Sequence, residues 1–171
     1  ICSIDSGLWV VIAFYEYITK TKDFDFMRQY LTELQLIMNW LGAHDGNNDA
    51  LLEIPEAGDW TDLFGRSYNV LYDEILWYRA NVCFGRLLEL SGEYEKAGDY
   101  IRWSQVIKKE INQNFWPSTQ QELFQSVSFA EQQFSLGDTA YLIAQVTPFD
   151  YSWRCDILGN VLAYLYGVVD S

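Results

Sequence analysis

The chain reads as an all-α protein of helical hairpins, with about five helices in an inner and an outer layer. Three observations predict it. Apolar residues recur at helical spacing through most of the sequence. Segments that are apolar all round alternate with segments that are apolar on one side. The links within each pair are short, whereas the links between pairs are long.

The first helix is expected from about Ser6 to Lys20, with Ser6 as its N-cap. Its stretch Leu8 to Tyr15 is apolar on every side, which predicts a helix surrounded by protein. A second helix, from about Asp25 to Leu41, carries one stripe of Met27, Leu31, Leu34, Met38 and Leu41 and a wet face with Arg28, Thr32 and Glu33. The pair recurs. The segment from about Val70 to Leu90 is apolar on most sides. The segment from about Glu93 to Phe115 is one-sided, with Tyr94, Ala97, Ile101, Ile107, Ile111 and Phe115 facing in. A fifth helix is expected from about Ser152 to Val168, again buried.

The links Thr21 to Phe24 and Ser91-Gly92 are short, and those from Gly42 to Asn69 and from Pro117 to Tyr151 are long. Long loops inside compact domains are usually functional. Each long loop here leads into the N-terminus of a buried helix, and residues 1–5 hold the same place in the cycle. All three should therefore gather at one end of the layered structure, the expected ligand face.

Bulk properties narrow the partner. With 24 acidic and 11 basic side chains the net charge is -13, which offers no basic face for nucleic acid. It also disfavours anionic lipid. No apolar run reaches the ~18 residues of a membrane span. Three cysteines without a paired framework, Cys2, Cys83 and Cys155, point to reduced thiols and a cytoplasmic compartment. The single His44 excludes a multi-histidine metal site. A neutral ligand fits these properties. Rings make up 17% of residues, and Tyr and Trp suit the apolar faces of sugars as well as ordinary core packing.

The long loops concentrate carboxylates among rings. The first holds Glu53, Glu56, Asp59, Trp60, Asp62, Phe64, Arg66 and Tyr68; the second ends on Phe149, Asp150, Tyr151, Trp153 and Arg154. Asp5 stands just before the first buried helix. Carboxylates held among rings suit glycoside hydrolysis, in which one protonates the leaving oxygen while another activates water or attacks. For Asp5 the competing structural explanation is a carboxylate that meets the helix dipole. Asp45, Asn47, Asp49, Leu51, Glu53 and Glu56 also fall at the ligand positions of a calcium loop. Ala50 stands where that template needs glycine and Pro55 is foreign to it, so a plain polar turn competes with a structural Ca2+ there. No other cofactor is expected.

The run Ile4-Asp5-Ser6-Gly7-Leu8-Trp9 resembles the catalytic-acid segment of six-hairpin toroid glycosidases, notably neutral and alkaline invertases and the amylo-α-1,6-glucosidase part of glycogen debranching enzymes. Gly58-Asp59-Trp60-Thr61-Asp62 is similar to a Gly-x-Trp-x-Asp segment of the debranching type. Ala144-Gln145-Val146-Thr147-Pro148, with Trp153-Arg154 and Leu158-Gly159-Asn160, is similar to a late invertase segment. The resemblance implies Asp5 as general acid, with Trp9, Trp60, Asp62, Arg66, Asp73, Trp153 and Arg154 around the sugar. It implies hydrolysis of an α-glucosidic bond with inversion. The segment Leu63-Phe64-Gly65-Arg66 is less basic than its invertase counterpart, which favours a glucan over sucrose. No counterpart of the catalytic base occurs before Ser171. Residues 1–171 are therefore expected to be a fragment of one toroid domain, inactive alone and partnered by the remainder of that domain. The rival class is a non-catalytic helical carbohydrate-binding or scaffold domain.

Overall fold

The computed structural model of the chain describes residues 3–61, 64–116, 140–149 and 151–169. The protein is mostly helical. Among the described residues five helices alternate with a small antiparallel sheet: α1 (Ile4–Thr21), α2 (Phe24–Gly42), β1 (Asn69–Val70), α3 (Leu71–Ser91), α4 (Tyr94–Phe115), β2 (Ile143–Val146), β3 (Tyr151–Cys155) and α5 (Ile157–Leu165). No helix among the described residues is long and apolar enough to cross a membrane.

Helix α3 is the centre. It packs against α4, α1 and α5, and nearly its whole length is buried, from Leu71 to Leu88. A helix apolar on most sides loses least free energy when neighbours cover every side. Helices α2 and α4 lie outside with one buried stripe each: Met27, Leu34, Met38 and Leu41 on α2, and Ala97, Ser104, Ile107, Ile111 and Phe115 on α4. Tyr94, expected to face in, is exposed because it opens α4 ahead of that stripe.

Two expectations about burial are corrected. Helix α1 buries Ile4, Leu8, Val11, Ile12 and Ile18, but Val10 and Tyr17 lie exposed along its opposite side. Helix α5 buries Gly159, Leu162 and Ala163 and leaves Ile157, Val161, Tyr164 and Leu165 in solvent. Only α3 is enclosed on all sides by the described residues; an all-apolar sequence is compatible with burial but does not supply the neighbours.

Two helix starts are also corrected. Helix α1 begins at Ile4, capped by Ser3 rather than Ser6, because the Ile4 N–H donates to the carbonyl of Gly58 at 2.8 Å. That contact satisfies one of the helix's free donors. Gly58 is needed there because an added Cβ would lie 2.7 Å from the Pro55 carbonyl. Helix α5 begins at Ile157, not Ser152, since residues 151–155 form a strand. The Asp156 side chain then caps α5 by accepting from the Gly159 N–H at 3.0 Å.

The sheet was not expected. Strand β2 is its middle strand, pairing antiparallel with β1 (Asn69 opposite Val146) and with β3 (Val146 opposite Tyr151), with a register shift between Ile143 and Gln145. It gathers the helix starts, since β1 runs straight into α3 and β3 leads through Asp156 into α5. Asn160 on α5 grips both backbone groups of Leu142, which fixes the start of β2 to that helix. With Gly58 held on Ile4, the N-terminal ends of α1, α3 and α5 come together, as the loop pattern predicts.

Helix α3 crosses α4 at short range, where a Cβ on Gly85 would stand 2.9 Å from Ile101 Cδ1 and 3.2 Å from the Ala97 carbonyl. Gly85→Val should therefore destabilise the fold by about 1–3 kcal/mol through overpacking. On α4, Gly98→Ala meets only the guanidinium end of Arg102 and should gain up to about 1 kcal/mol of helix propensity. Urea denaturation of the two variants checks the contrast.

Candidate functional site

Four carboxyl groups and one guanidinium meet where the helix starts converge. Asp5 lies in the first turn of α1, Asp73 in the first turn of α3, Asp156 at the cap of α5, and Asp59 and Arg66 on the loop between α2 and β1. Arg66 joins the groups by donating to Asp59 through Nη2 and to Asp156 through Nη1, the latter at 2.7 Å. Its partners' side chains are only 3% and 8% exposed. Asp59 is further held by the Thr61 N–H and hydroxyl, at 2.7 and 2.6 Å. The ion pair thus ties the loop to the end of β3 across 90 positions of sequence.

Asp5 is buried, at 6% exposure. The Ser3 hydroxyl donates to its Oδ1 at 2.6 Å, and the Tyr72 hydroxyl stands 3.5 Å from its Oδ2. Tyr72 in turn accepts from the Trp9 indole N–H at 2.7 Å. Burial, followed by the charges of Asp5, Asp73 and Asp59, raises the Tyr72 phenol above its ordinary range, against the pull of the Trp9 bond, so Tyr72 keeps its proton. The Trp60 ring, 58% exposed, meets the Tyr72 ring edge to face with centroids 6.3 Å apart.

Beside Arg66 and Asp156 lies a cavity of about 480 Å³ whose lining also includes Trp60, Phe64, Gln145, Arg154 and Leu158. Of the residues expected around a sugar, Trp60, Arg66 and Arg154 line it. Trp9 reaches the site through Tyr72. Asp73 has no exposed surface, and neither it nor Asp5 is among the residues that line the cavity. Asp62 and the Trp153 side chain lie outside the described residues. Sequence reasoning did not anticipate the roles of Ser3, Tyr72 and Asp156. Only Asp156 has a local signature, a carboxylate three residues ahead of Gly159 at a helix start.

In the loop read as a calcium template, Asp45, Asp49 and Glu53 bring carboxylate oxygens within 4.8 Å of one another. Glu56 is not in the group. Asn47 turns its amide N–H towards Asp49 at 2.9 Å and its oxygen accepts the Asp49 N–H. The loop closes on its own carboxylates: Asp45 accepts the N–H of Asp49 and of Ala50, and Glu53 accepts that of Gly46. Ala50 adopts the left-handed conformation, with φ of 73°, that the template reserves for glycine. Burial and then the Asp49 charge push the Asp45 carboxyl up. Burial, with smaller contributions from Asp49 and Asp45, does the same to Glu53 against the Gly46 bond.

No family model and no curated protein matches the chain.

Arg66→Met should cost about 3–5 kcal/mol, because it leaves two buried carboxylates without their cation. Adding Asp59→Asn should recover part of that loss. Chemical denaturation of the single and double variants gives the coupling directly.

Proposed function

We propose that the chain carries the acid half of a glycoside-hydrolase site that cleaves an α-glucosidic bond in a glucan, as in glycogen debranching. The observation that carries this reading is Asp5, a buried carboxyl faced by the hydroxyls of Ser3 and Tyr72, with the Tyr72 ring in turn meeting the exposed Trp60 that lines the cavity. In this role Asp5 gives its proton to the glycosidic oxygen. The bond from that oxygen to the anomeric carbon breaks, its electron pair stays on the leaving oxygen, and water adds to the sugar. The base that takes the water's proton would come from a segment other than those described. Trp60 offers its face to the sugar ring. Arg66 braces the cavity by pairing with Asp59 and Asp156 rather than holding the sugar itself, since Nη1 and Nη2 are both engaged. The motifs around Asp5 and Trp60 and their order along the chain support the same reading.

The test uses the full-length protein. Asp5→Asn keeps the shape and removes the transferable proton. It should lower kcat by about 10²–10⁴-fold on a glucoside with a poor leaving group and far less on one with an activated leaving group. Near-normal turnover of the first substrate would make Asp5 a helix-terminal carboxylate only. Binding of the glucan with no turnover by the unaltered protein would make the domain a binding module.

Trp60→Ala should raise KM by up to about tenfold, in line with the ~0.5–1.5 kcal/mol of an aromatic contact, while kcat changes little. Steady-state kinetics on an oligosaccharide separates the two parameters.

A further inference from the structure

Each oxygen of Asp5 has a hydroxyl neighbour, but the two hydroxyls differ in what they can do. Ser3 Oγ stands 2.6 Å from Oδ1 and 2.7 Å from the Ser6 hydroxyl. A serine hydroxyl gives one hydrogen and also accepts, so this chain can run in either direction. The Tyr72 hydroxyl stands 3.5 Å from Oδ2 and 2.7 Å from the Trp9 indole nitrogen. An indole N–H only donates. Trp9 therefore occupies an acceptor place on the Tyr72 oxygen, and the single Tyr72 hydrogen is left for Oδ2. Burial above all keeps that hydrogen on the phenol. The two sides also differ in access. Ser3 and Ser6 are exposed, whereas Tyr72 is only 3% exposed.

We propose that Tyr72, aimed by Trp9, is a positioning residue that keeps Oδ2 of Asp5 an acceptor, so that the transferable proton is held on Oδ1. The inference rests on the reading of Asp5 as the acid. With Asp5 protonated, Oδ1–H donates to Ser3, and Ser3 turns its own hydrogen to Ser6, until a glycosidic oxygen takes the place of Ser3. On transfer the Oδ1–H bond breaks, its electron pair stays on Asp5 and the proton goes to the glycosidic oxygen. Ser3 then turns its hydrogen back to Oδ1, while Tyr72 donates to Oδ2 throughout. A hydrogen bond to an ionised acceptor is about twice as strong as one to a neutral acceptor, so the Tyr72 bond gains strength as charge develops on Asp5. It is long in the free protein, as catalytic bonds often are before substrate tightens them. A donor that is worth more after the proton has left than before raises kcat rather than affinity.

Tyr72→Phe keeps the ring that meets Trp60 and removes only the hydroxyl. In the full-length protein it should lower kcat about tenfold on a glucoside with a poor leaving group and leave KM little changed. The loss should be far smaller with an activated leaving group, which needs little protonation. Combining Tyr72→Phe with Trp9→Phe removes both partners of their bond, so no indole N–H is left unpaired. This double variant should stay as slow as Tyr72→Phe. Unchanged kcat in Tyr72→Phe, an equal loss on both substrates, or recovery of turnover in the double variant each overturns the proposal.

Neutron diffraction from the deuterated full-length protein reads the hydrogens without turnover. The Tyr72 deuterium should point to Oδ2 of Asp5; a deuterium on Oδ2, or a Tyr72 hydroxyl turned elsewhere, overturns the proposal. Near-normal turnover in Asp5→Asn overturns the reading of Asp5 as the acid and this inference with it. A slow Asp5→Asn beside a fully active Tyr72→Phe overturns this inference alone.

Discussion

Ahead of Arg86 helix α3 is almost entirely covered, so the polar groups it carries there must be answered from within the protein. Glu74 accepts the Leu52 N–H with both carboxyl oxygens at 3.0 Å, which anchors the loop after α2 to the helix. Asn81 turns its amide onto the Trp77 carbonyl of the preceding turn. Arg79 pairs with Glu16 of α1 at 3.1 Å and lies over the rings of Tyr15 and Tyr166, so one cation links three parts of the fold. Among the described residues the Trp77 indole N–H and both Asp73 oxygens find no such answer, and Asp73 lies where the other helix starts converge. The enclosure that makes α3 stable is therefore what concentrates unusual electrostatics at its first turn.

The site's shape follows from how that enclosure is built. The loop after α2 is fixed at three points: Leu52 on Glu74, Gly58 on Ile4 and Arg66 on Asp156. Trp60 and Phe64 lie between the last two anchors and stay exposed, so rigid attachment on either side presents two rings to solvent. A site that must hold a substrate in one pose needs such support more than it needs many contacts.

Much of this is legible in the residues. The expected bounds of the third helix lie within one position of the observed ones, because its apolar faces and the short Ser91-Gly92 link bound it tightly. The convergence of the long loops follows from their order alone. Residues 152–155 read as helix only while Asp156 is passed over as a cap; the alternation of Tyr151, Trp153 and Cys155 with Ser152 and Arg154 is the period of a strand. The exposed sides of α1 and α5 could not be foreseen, since apolar sequence reports what a face can tolerate and not what covers it. In the site, Asp5, Trp60 and Arg66 stand out by motif. The partnership of Arg66 with Asp156 and that of Tyr72 with Asp5 join distant segments and leave no local trace.

Three of the four acids stand at helix N-termini: Asp5 in the first turn of α1, Asp73 in that of α3 and Asp156 at the cap of α5. Each helix presents roughly half a positive charge at that end. With one arginine among four carboxyl groups, these three ends are the remaining positive field, and they explain how so acidic a cluster can be assembled at all. The field does not settle every member equally. A helix terminus is worth about 0.3–1 kcal/mol at the surface and up to ~2 when partly buried. Removing a carboxylate entirely from water costs several kcal/mol. Asp156, which accepts both Arg66 and the Gly159 N–H, has direct donors to offset that cost. Asp73 has no direct donor among the described residues, only the dipole and the Arg66 charge, and the desolvation cost outweighs both, so burial drives its carboxyl well above the usual range.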